Sequence, residues 1–369
     1  MRSVSSTGDA AGGTPAARRR EPSTVGETAV AGPVENITNR SEWDDFIKSH
    51  PEANFLQSWD FYEFYKARGN KVVRRAVLRG GKIIAAYAGV VETAKRGKHL
   101  AIAGGPILDF SDKKTVREVF KDMREVAEAE DCVFVRVRPQ LPLSDKSLKL
   151  MRELGLKKAP MYLSVEYAGI LDLKKSDEDI LADASQGLRR KIRKARKSEI
   201  EIKAETSEAA INEFCQLEKK HAERQKYVAF SEDFLKKQFE AFRAGGEVLI
   251  YTARLGKEIL AMNFMIFYGP EASYHYGVSS ELGTRYSAAP LLHLAAIDEA
   301  RKRGCLRYNL WGIVGKEETD HRFYGVSEFK RSFGPEELKY TPAHDLILKP
   351  LLYQKTKLVE KARKKIRHV

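Results

Sequence analysis

The chain has 369 residues, 43% of them hydrophobic, and a formal net charge of +14, which suits about two domains with buried cores. No apolar run approaches the roughly 20 residues of a membrane-spanning helix, and the N-terminus lacks the apolar segment of a secretory signal, so we expect a cytoplasmic protein. Cys132, Cys215 and Cys305 lack the paired spacing of a zinc site or a disulfide framework, and we expect them to be reduced core residues.

The positive charge is concentrated in two stretches. Leu188–Lys197 holds seven basic residues and no acid, and Lys349–Val369 holds eight basic residues and one acid, Glu360. Such stretches suit polyanionic partners: nucleic-acid phosphates, a nucleotide pyrophosphate or an anionic membrane surface. A solvated helix face is the alternative for both, less favoured for Leu188–Lys197 because opposite charges are absent there.

In chain order, residues 1–34 are rich in small and polar residues and predict a disordered tail. An order of elements then occurs twice. The first copy predicts helices Glu42–Lys48 and Trp59–Arg68, strands Lys71–Arg79, Lys82–Thr93 and His99–Ile107, helix Lys114–Glu130 and strand Cys132–Arg138. The second predicts helices Glu208–Gln225 and Glu232–Arg243, strands Val248–Arg254, Glu258–Tyr268 and Ala272–Ser279, helix Pro290–Arg303 and strand Leu306–Trp311.

The spacing of the two copies indicates a duplication. The turn residues Gly81 and Gly256 are 175 positions apart, and Cys132 and Cys305 are 173 apart. The repeated unit is a mixed α+β (α/β) layer that resembles the GNAT-like acyltransferase fold. We therefore expect two tandem GNAT-like domains, residues 35–165 and 166–338, and a C-terminal segment, residues 339–369, whose basic helix packs back on the first domain.

Several catalytic motifs are missing from the sequence. It contains no G-x-S-x-G, P-loop, G-x-G-x-x-G or H-E-x-x-H pattern, which disfavours triad hydrolases and metal hydrolases, and we expect no metal. Coenzyme A-dependent enzymes of this fold carry a loop resembling R/Q-x-x-G-x-G/A before the central helix. Here Arg285–Pro290 has alanine in place of the first glycine and a proline that removes an amide, so coenzyme A binding looks degraded.

Five segments carry a family resemblance through their order and spacing. They are Phe55–Trp59 running on to Lys66, the basic helix Gln186–Lys197 with Glu199–Lys203, Tyr274–Ser279, Ala289–Gly312, and Gly325–Gly334. Together they resemble the FemABX family of aminoacyl-tRNA-dependent peptidyltransferases, which build peptidoglycan cross-bridges. The resemblance runs from about residue 35 to the C-terminus, without the long coiled-coil arm that some members have.

The resemblance implies a reaction and its partners. An amino acid of glycine, alanine or serine type would pass from aminoacyl-tRNA to the stem-peptide amine of UDP-MurNAc-pentapeptide or lipid II, with no cofactor and with peripheral contact at the inner membrane surface. A GNAT N-acyltransferase that uses acyl-CoA is one alternative. A non-catalytic protein that binds RNA or a membrane surface through its basic segments is the other.

Lys330 and Phe329 match a family lysine and aromatic residue near the acyl-transfer centre. A fixed ammonium there would stabilise the oxyanion formed when an amine attacks an ester. The alternatives are a salt-bridged surface lysine and plain core packing. Lys66, nine residues after Gln57, matches a family lysine that binds phosphate, its alternative being a solvated lysine at a helix end.

The remaining substrate-binding candidates also have structural alternatives. Gln57 and Trp59 open the helix that leads to Lys66 and either line the cleft or pack in the core. Tyr274 and Tyr276 alternate on a strand, so we expect them to share one face and, by the resemblance, to face the peptide substrate; a face buried under a helix is the alternative.

The basic helix combines an apolar stripe with flanking cations. Leu188, Ile192 and Ala195 recur at helical spacing and predict a core-facing side. The candidates for contacts with the tRNA backbone are Arg189, Arg190, Arg193, Lys194 and Lys197.

Two positions depart from the family pattern. An arginine that some members carry shortly before the helix beginning near Glu232 is missing, and Arg224 or Lys226 would take its place. A carboxylate at the end of the last strand of the first domain is replaced by Arg138. Both differences affect contacts with the precursor.

Overall fold

Two β-sheets form the framework of the computed structural model, which describes residues 34–94, 97–225 and 227–367. The predicted tail, apart from its last residue, therefore lies outside the described residues.

The first sheet belongs to the N-terminal half. Its strands are β1 Val34–Asn36, β2 Lys71–Arg79, β3 Lys82–Ala94, β4 Gly97–Ala103, β5 Ile107–Leu108, β6 Phe134–Arg138 and β7 Lys157–Lys158. The helices of this half are α1 Arg40–Lys48, α2 Trp59–Ala67, which follows a short 3-10 turn at Phe55–Gln57, α3 Lys113–Ala129 and α4 Asp145–Glu153. Strands β1 to β4 pair antiparallel in sequence order, and β4 pairs parallel with β6 across α3.

The second sheet repeats this plan. Its strands are β8 Tyr167–Asp172, β9 Glu201–Glu205, β10 Val248–Leu255, β11 Glu258–Tyr268, β12 Glu271–Ser279, β13 Arg307–Gly312 and β14 Glu336–Lys339. The helices are α5 Asp177–Asp183, α6 Gln186–Arg196, α7 Glu208–Gln225, α8 Glu232–Ala244, α9 Glu281–Tyr286, α10 Ala289–Lys302 and α11 Tyr324–Arg331. Strands β10, β11 and β12 pair antiparallel, and β12 pairs parallel with β13 across α10, as β4 does with β6 across α3.

Local sequence signals account for the ends of the two crossover helices. Asp112 caps α3, because its carboxylate accepts hydrogen bonds from the backbone N–H groups of Lys114 and Thr115. Pro290 lies in the first turn of α10, and Gly304, at φ +77°, follows its last turn, as the sequence predicts.

The C-terminal segment completes the first sheet. Strand β15, His344–Ile347, lies between β6 and β7, and helix α12, Pro350–Arg367, follows it. The buried Arg136 guanidinium donates to Asp345 at 2.7 and 2.8 Å and to Glu360 on α12 at 2.8 and 2.9 Å. The division into domains at residues 165 and 338 stays a prediction.

A common apolar core joins the halves. Trp43 and Phe55 from the first half pack in one cluster with Phe239, Phe242 and Phe264 from the second. Polar contacts cross the same boundary: the Tyr268 hydroxyl donates to Asp44 at 2.7 Å, and Lys48 pairs with Glu247 at 3.0 Å. The halves are therefore held face to face around the base of a cleft.

Three further observations on the described residues concern the cysteines, metal sites and membrane-spanning helices. Cys132, Cys215 and Cys305 are buried and free, as predicted. Among the described residues, no group of three or more histidine, cysteine or acidic side chains is arranged to hold a metal. In the same residues, no helix combines the length and apolar character needed to cross a membrane.

Candidate active site

A cleft of about 690 Å³ lies between the halves. The first half contributes Leu56, Phe61, Phe64 and Tyr65, and the segment 158–167 that links the halves forms another wall. The second half contributes Phe234, His275, Tyr276 and residues 311–314. The walls are predominantly apolar and aromatic with few polar groups, which is typical of a substrate site.

Separation of β12 from β13 opens the floor of this cleft. Their parallel pairing covers only Glu271–Ser273 and Arg307–Asn309, after which the strands diverge. At the end of β13, Trp311 adopts φ +66°, an unusual conformation for a bulky residue, and its indole stacks on Phe55 with the ring centres 5.1 Å apart. Strained backbone of this kind is concentrated at functional sites.

The expectation that Tyr274 and Tyr276 share one face is wrong. A β-bulge interrupts the pairing of β11 with β12, since Phe264 pairs with Tyr276 and Met265 pairs with Tyr274, leaving His275 as the extra residue. Tyr276 packs on the inter-sheet core and lines the cleft, whereas Tyr274 packs on the core of the second half. Of this pair, only Tyr276 therefore lines the cleft.

The bulge also turns the His275 imidazole into the wall of the cleft. Its ring lies 3.9 Å from the ring of Tyr276, 4.8 Å from that of Phe55 and 5.5 Å from that of Trp311, between ring centres. Both ring nitrogens are buried and lack a hydrogen-bond partner among the described residues. Burial lowers the pKa of His275 to about 3, so the ring is neutral at physiological pH.

Lys330 is buried next to the cleft, on α11. Its Nζ donates to the carbonyl of Gly312 at 2.7 Å, and Gly312 is part of the cleft wall. The side chain itself is not among the lining groups, and none of the described carboxylates forms a salt bridge with it. Burial alone lowers the pKa of Lys330 to about 7, so both charge states are accessible near neutrality.

A cluster of aromatic side chains packs next to Lys330. Its ammonium lies 5.5 Å from the ring centre of Tyr274, and His293 stands 4.5 Å from that ring. Phe329 packs 5.5 Å from His293, while His293 Nδ1 shares a 2.8 Å hydrogen bond with the Tyr308 hydroxyl. Tyr274 therefore packs next to the lysine, and Phe329 packs in the same aromatic cluster through His293.

The candidates on the first half have different surroundings. Gln57 is buried, and its amide bonds to the backbone of Ala88 and Ala103, so it joins β3 to β4. Trp59 lies 3.8 Å from the Arg74 guanidinium, outside the lining of the cleft. The Lys66 side chain is 67% exposed and pairs with Glu63 at 3.7 Å, which leaves it accessible to a phosphate beyond the cleft.

The positions that depart from the family pattern are engaged internally. Arg224 donates to the carbonyl of Ser279 at 2.6 Å, which ties α7 to the end of β12 away from the cleft lining. Lys226 lies outside the described residues. Arg138 is buried, donates to Ser164 at 2.6 Å and lies 5.1 Å from the Tyr340 ring.

The basic helix α6 buries its apolar stripe and exposes most of its cations. Leu188, Ile192 and Ala195 are buried, as predicted. Arg189 is half-buried, and its Nη1 donates to the carbonyls of Ala182 and Ala184 at the end of α5. The other four candidates are exposed: Arg190, Arg193, Lys194 and Lys197. Spacings of three, four and seven residues place these four along one side of the helix.

The loop before α10 offers few free amides to a pyrophosphate. The N–H groups of Ser287 and Ala288 donate to carbonyls of α9 and that of Leu291 donates to the Ala288 carbonyl, while Pro290 has no N–H group. Lys194 Nζ additionally donates to the Arg285 carbonyl at 3.1 Å. The loop whose degraded coenzyme A pattern the sequence predicted therefore also has fewer free donors than an anion-binding helix start.

Comparisons with known proteins agree with the duplicated fold. Residues 38–153 match the FemAB family, and residues 182–331 match the acetyltransferase (GNAT) domain. The lipid II:glycine glycyltransferase of Staphylococcus haemolyticus (strain JCSC1435) is 21% identical over 86% of this chain and 94% of its own. The crystal structure of FemX covers 89% of this chain and 100% of its own, with 20% identity and a TM-score of 0.80.

Over most of its length the chain is similar to proteins of the FemABX family. A more distant structural match is the C-terminal domain (DUF2156) of a putative lysylphosphatidylglycerol synthetase from Agrobacterium fabrum. It is 14% identical, has a TM-score of 0.55, and covers 88% of this chain and 96% of its own. The predicted mixed α+β fold of tandem GNAT-like units is confirmed.

The sequence did not predict two features of this protein. His275 lies inside a segment that carried the family resemblance, but a strict two-residue alternation assigns it to the face opposite the tyrosines. The linking segment 158–167 forms a wall of the cleft although it contains little regular structure. Its Pro160 and the aromatic residues Tyr162 and Tyr167 were the only local signals available.

Proposed function

We propose that this protein is an aminoacyltransferase of the FemABX kind, which moves an amino acid from aminoacyl-tRNA to the stem-peptide amine of a peptidoglycan precursor. The observation that carries the proposal is the aromatic cleft between the halves, with a buried lysine held by one of its wall carbonyls. The relatives named lipid II:glycine glycyltransferases favour glycine as the amino acid and lipid II over UDP-MurNAc-pentapeptide as the acceptor.

The reaction depends mainly on positioning the acceptor amine against the ester carbonyl, because the ester is already activated. The acceptor amine attacks the ester carbonyl of the aminoacyl-tRNA, a C–N bond forms and the C–O bond breaks. The proton lost by the amine passes to the departing 3′ oxygen of the tRNA. No energy cofactor is needed, because an activated ester is exchanged for a more stable amide. In the structure the Lys330 ammonium donates to the Gly312 carbonyl. In the proposed reaction it turns from this carbonyl towards the cleft and stabilises the intermediate oxyanion.

The tRNA is proposed to lie along α6. Arg190, Arg193, Lys194 and Lys197 are exposed along one side of this helix, which packs on α10 of the second half. Phosphate groups spaced along a nucleic-acid backbone would release counterions on meeting such a row. Lys66, on the first half, is proposed to bind the pyrophosphate of the precursor.

A membrane-bound acceptor calls for a surface that meets the bilayer, and α12 has the required composition. Tyr353, Thr356 and Glu360 face the first sheet, which leaves Leu351, Leu352 and Leu358 exposed by 90%, 52% and 70%. Lys355, Lys357 and Lys361 lie between these leucines or next to them on the exposed surface. Leucines interspersed with lysines suit an anionic membrane surface, because apolar insertion and charge attraction act together.

The proposal is tested by a transfer assay. Purified protein is mixed with charged, radiolabelled aminoacyl-tRNAs and with UDP-MurNAc-pentapeptide or lipid II in detergent. We expect label to move from glycyl-tRNA into lipid II, and Lys330→Met to lower kcat by a factor of about 10²–10³ with little change in precursor affinity. Near-normal turnover in that variant would contradict the role of Lys330. Transfer from acetyl-CoA instead of tRNA would overturn the proposed function.

A further inference from the structure

His275 is the most poorly satisfied polar group in the wall of the cleft. Its ring lines the cavity, yet both nitrogens are buried without a hydrogen-bond partner among the described residues. Leaving a buried donor or acceptor unpaired costs free energy, so a native protein seldom keeps two such atoms on one ring without a use.

The backbone around His275 is built to put the ring there. The bulge at this residue reverses the alternation of β12, so that His275 and Tyr276 both line the cleft. On the neighbouring strand, Trp311 holds a left-handed backbone conformation and meets the imidazole edge-on, with the planes at 90°. Two local irregularities thus converge on one side chain.

The surroundings select the kind of group that the ring will bind. Its neighbours are the rings of Phe55, Phe264, Tyr276 and Trp311, which supply no charge. A neutral imidazole offers one N–H donor and one acceptor nitrogen. A charged ligand group would remain unpaired in this environment, whereas a peptide amide carries both a donor and an acceptor and needs no counter-charge.

We propose that His275 is a binding residue for a peptide amide of the acceptor precursor in the cleft. Binding would pair its ring nitrogens with N–H and C=O groups of the stem peptide, after a small rotation of the ring towards the cavity. The inference rests on the proposed function, because the stem peptide is the amide-bearing part of that acceptor. It assigns peptide recognition to His275 and leaves the oxyanion to Lys330.

The test compares two soluble ligands, UDP-MurNAc-pentapeptide and UDP-MurNAc without a peptide, by calorimetry. His275→Phe keeps an aromatic ring and removes both nitrogens. We expect it to bind the pentapeptide form roughly tenfold more weakly, as loss of one or two hydrogen bonds implies, and UDP-MurNAc as tightly as the parent does. In the transfer assay KM for the precursor should rise while kcat stays nearly constant.

Stability supplies a second readout that a purely structural residue would not give. Since the unpaired nitrogens disfavour the free protein, His275→Phe should raise the unfolding midpoint while it weakens binding. His99→Phe is the matched control: this buried imidazole stacks on Phe134 and bonds to the Gly97 carbonyl, away from the cleft lining. The control should lower the midpoint and leave binding of both ligands unchanged.

Two results would overturn the inference. The first is equal affinity of parent and His275→Phe for the pentapeptide form, and the second is an equal loss for both ligands. His275→Leu replaces the Phe variant if the latter does not fold, and His275→Asn, which keeps a donor and an acceptor, should recover part of the affinity. If the parent transfers glycine normally and these variants bind like it, the inference alone fails. If the parent neither binds the precursor nor transfers, the proposed function fails with it.

Discussion

Two buried cationic side chains near the cleft differ in their pKa. Arg138 and Lys330 both lie in the interior, and neither forms a salt bridge with a described carboxylate. Burial lowers the pKa of Arg138 to about 10, which leaves it charged at neutral pH, and the pKa of Lys330 to about 7. Lys330 is therefore the cation whose charge changes within the physiological range.

The titration of Lys330 predicts a pH dependence of turnover. If its ammonium stabilises the oxyanion, kcat should fall as the pH rises through about 7, because the charged form is lost. Lys330→Arg keeps the charge at alkaline pH, so its residual activity should not show this decline. Single-turnover rates between pH 6 and 9 test this. A parent rate that rises through pH 7 and levels off would assign the lysine to proton abstraction instead.

The same pKa predicts an effect on stability. Its folded value of about 7 lies below the ordinary 10.5, so between these values the unfolded chain binds more protons than the folded protein. Stability therefore rises with pH across this window, and the cost of burying the ammonium is greatest below pH 7. Lys330→Met should stabilise the protein by roughly 2 kcal/mol at pH 6 and much less at pH 9, measured by urea unfolding. Equal effects at both pH values would contradict the buried-charge account.

At the scale of elements, α6 separates cations with a structural partner from cations that face solvent. Arg189 closes the end of α5, whereas Arg190, Arg193 and Lys197 are exposed. Replacing these three with alanine should weaken tRNA binding at least tenfold and reduce the slope of log K against log salt by about 2. Filter binding at several salt concentrations measures both quantities. Alanine at Lys121, Lys146 and Lys149 of the first half removes the same charge and should have little effect.

The network around Arg136 makes a different prediction for α12. Arg136, Asp345 and Glu360 are buried together, so Glu360→Gln leaves part of a buried guanidinium uncompensated. We expect a loss of about 2–4 kcal/mol in the free energy of unfolding. Glu299→Gln, which breaks the more exposed pair with Arg303, should cost less than about 1 kcal/mol. Similar losses in both variants would show that α12 is not anchored through this network.

At the scale of the whole molecule, the exposed leucines of α12 predict membrane association. The protein should sediment with vesicles that contain phosphatidylglycerol and not with neutral phosphatidylcholine vesicles. Leu351→Ser with Leu358→Ser should weaken that association roughly tenfold, because two exposed apolar side chains no longer insert. Val228→Ser with Leu306→Ser alters two other exposed apolar residues and serves as the control. Unchanged sedimentation of the α12 variant would exclude this surface.

Local patterns in the sequence predicted much of the fold, but contacts between distant segments were not accessible to them. Strands β2 and β11 have the bounds that their patterns indicate, because turn glycines fix their ends. The bulge at His275 leaves no trace in the pattern, since it depends on the pairing with β11. Lys330 was found through the family resemblance, whereas its burial depends on packing against Tyr274 and Gly312.

The position of β15 has a consequence for the order in which the chain folds during synthesis. Strand β6 leaves the ribosome about 200 residues before the strand that pairs with its outer edge, and Arg136 emerges 209 residues before Asp345. Until residues 344–347 have been synthesised, the nascent first half carries an open sheet edge and an uncompensated arginine. Such an edge invites pairing with other chains. Nascent chains stalled before residue 344 should therefore depend on chaperones far more than the finished protein does.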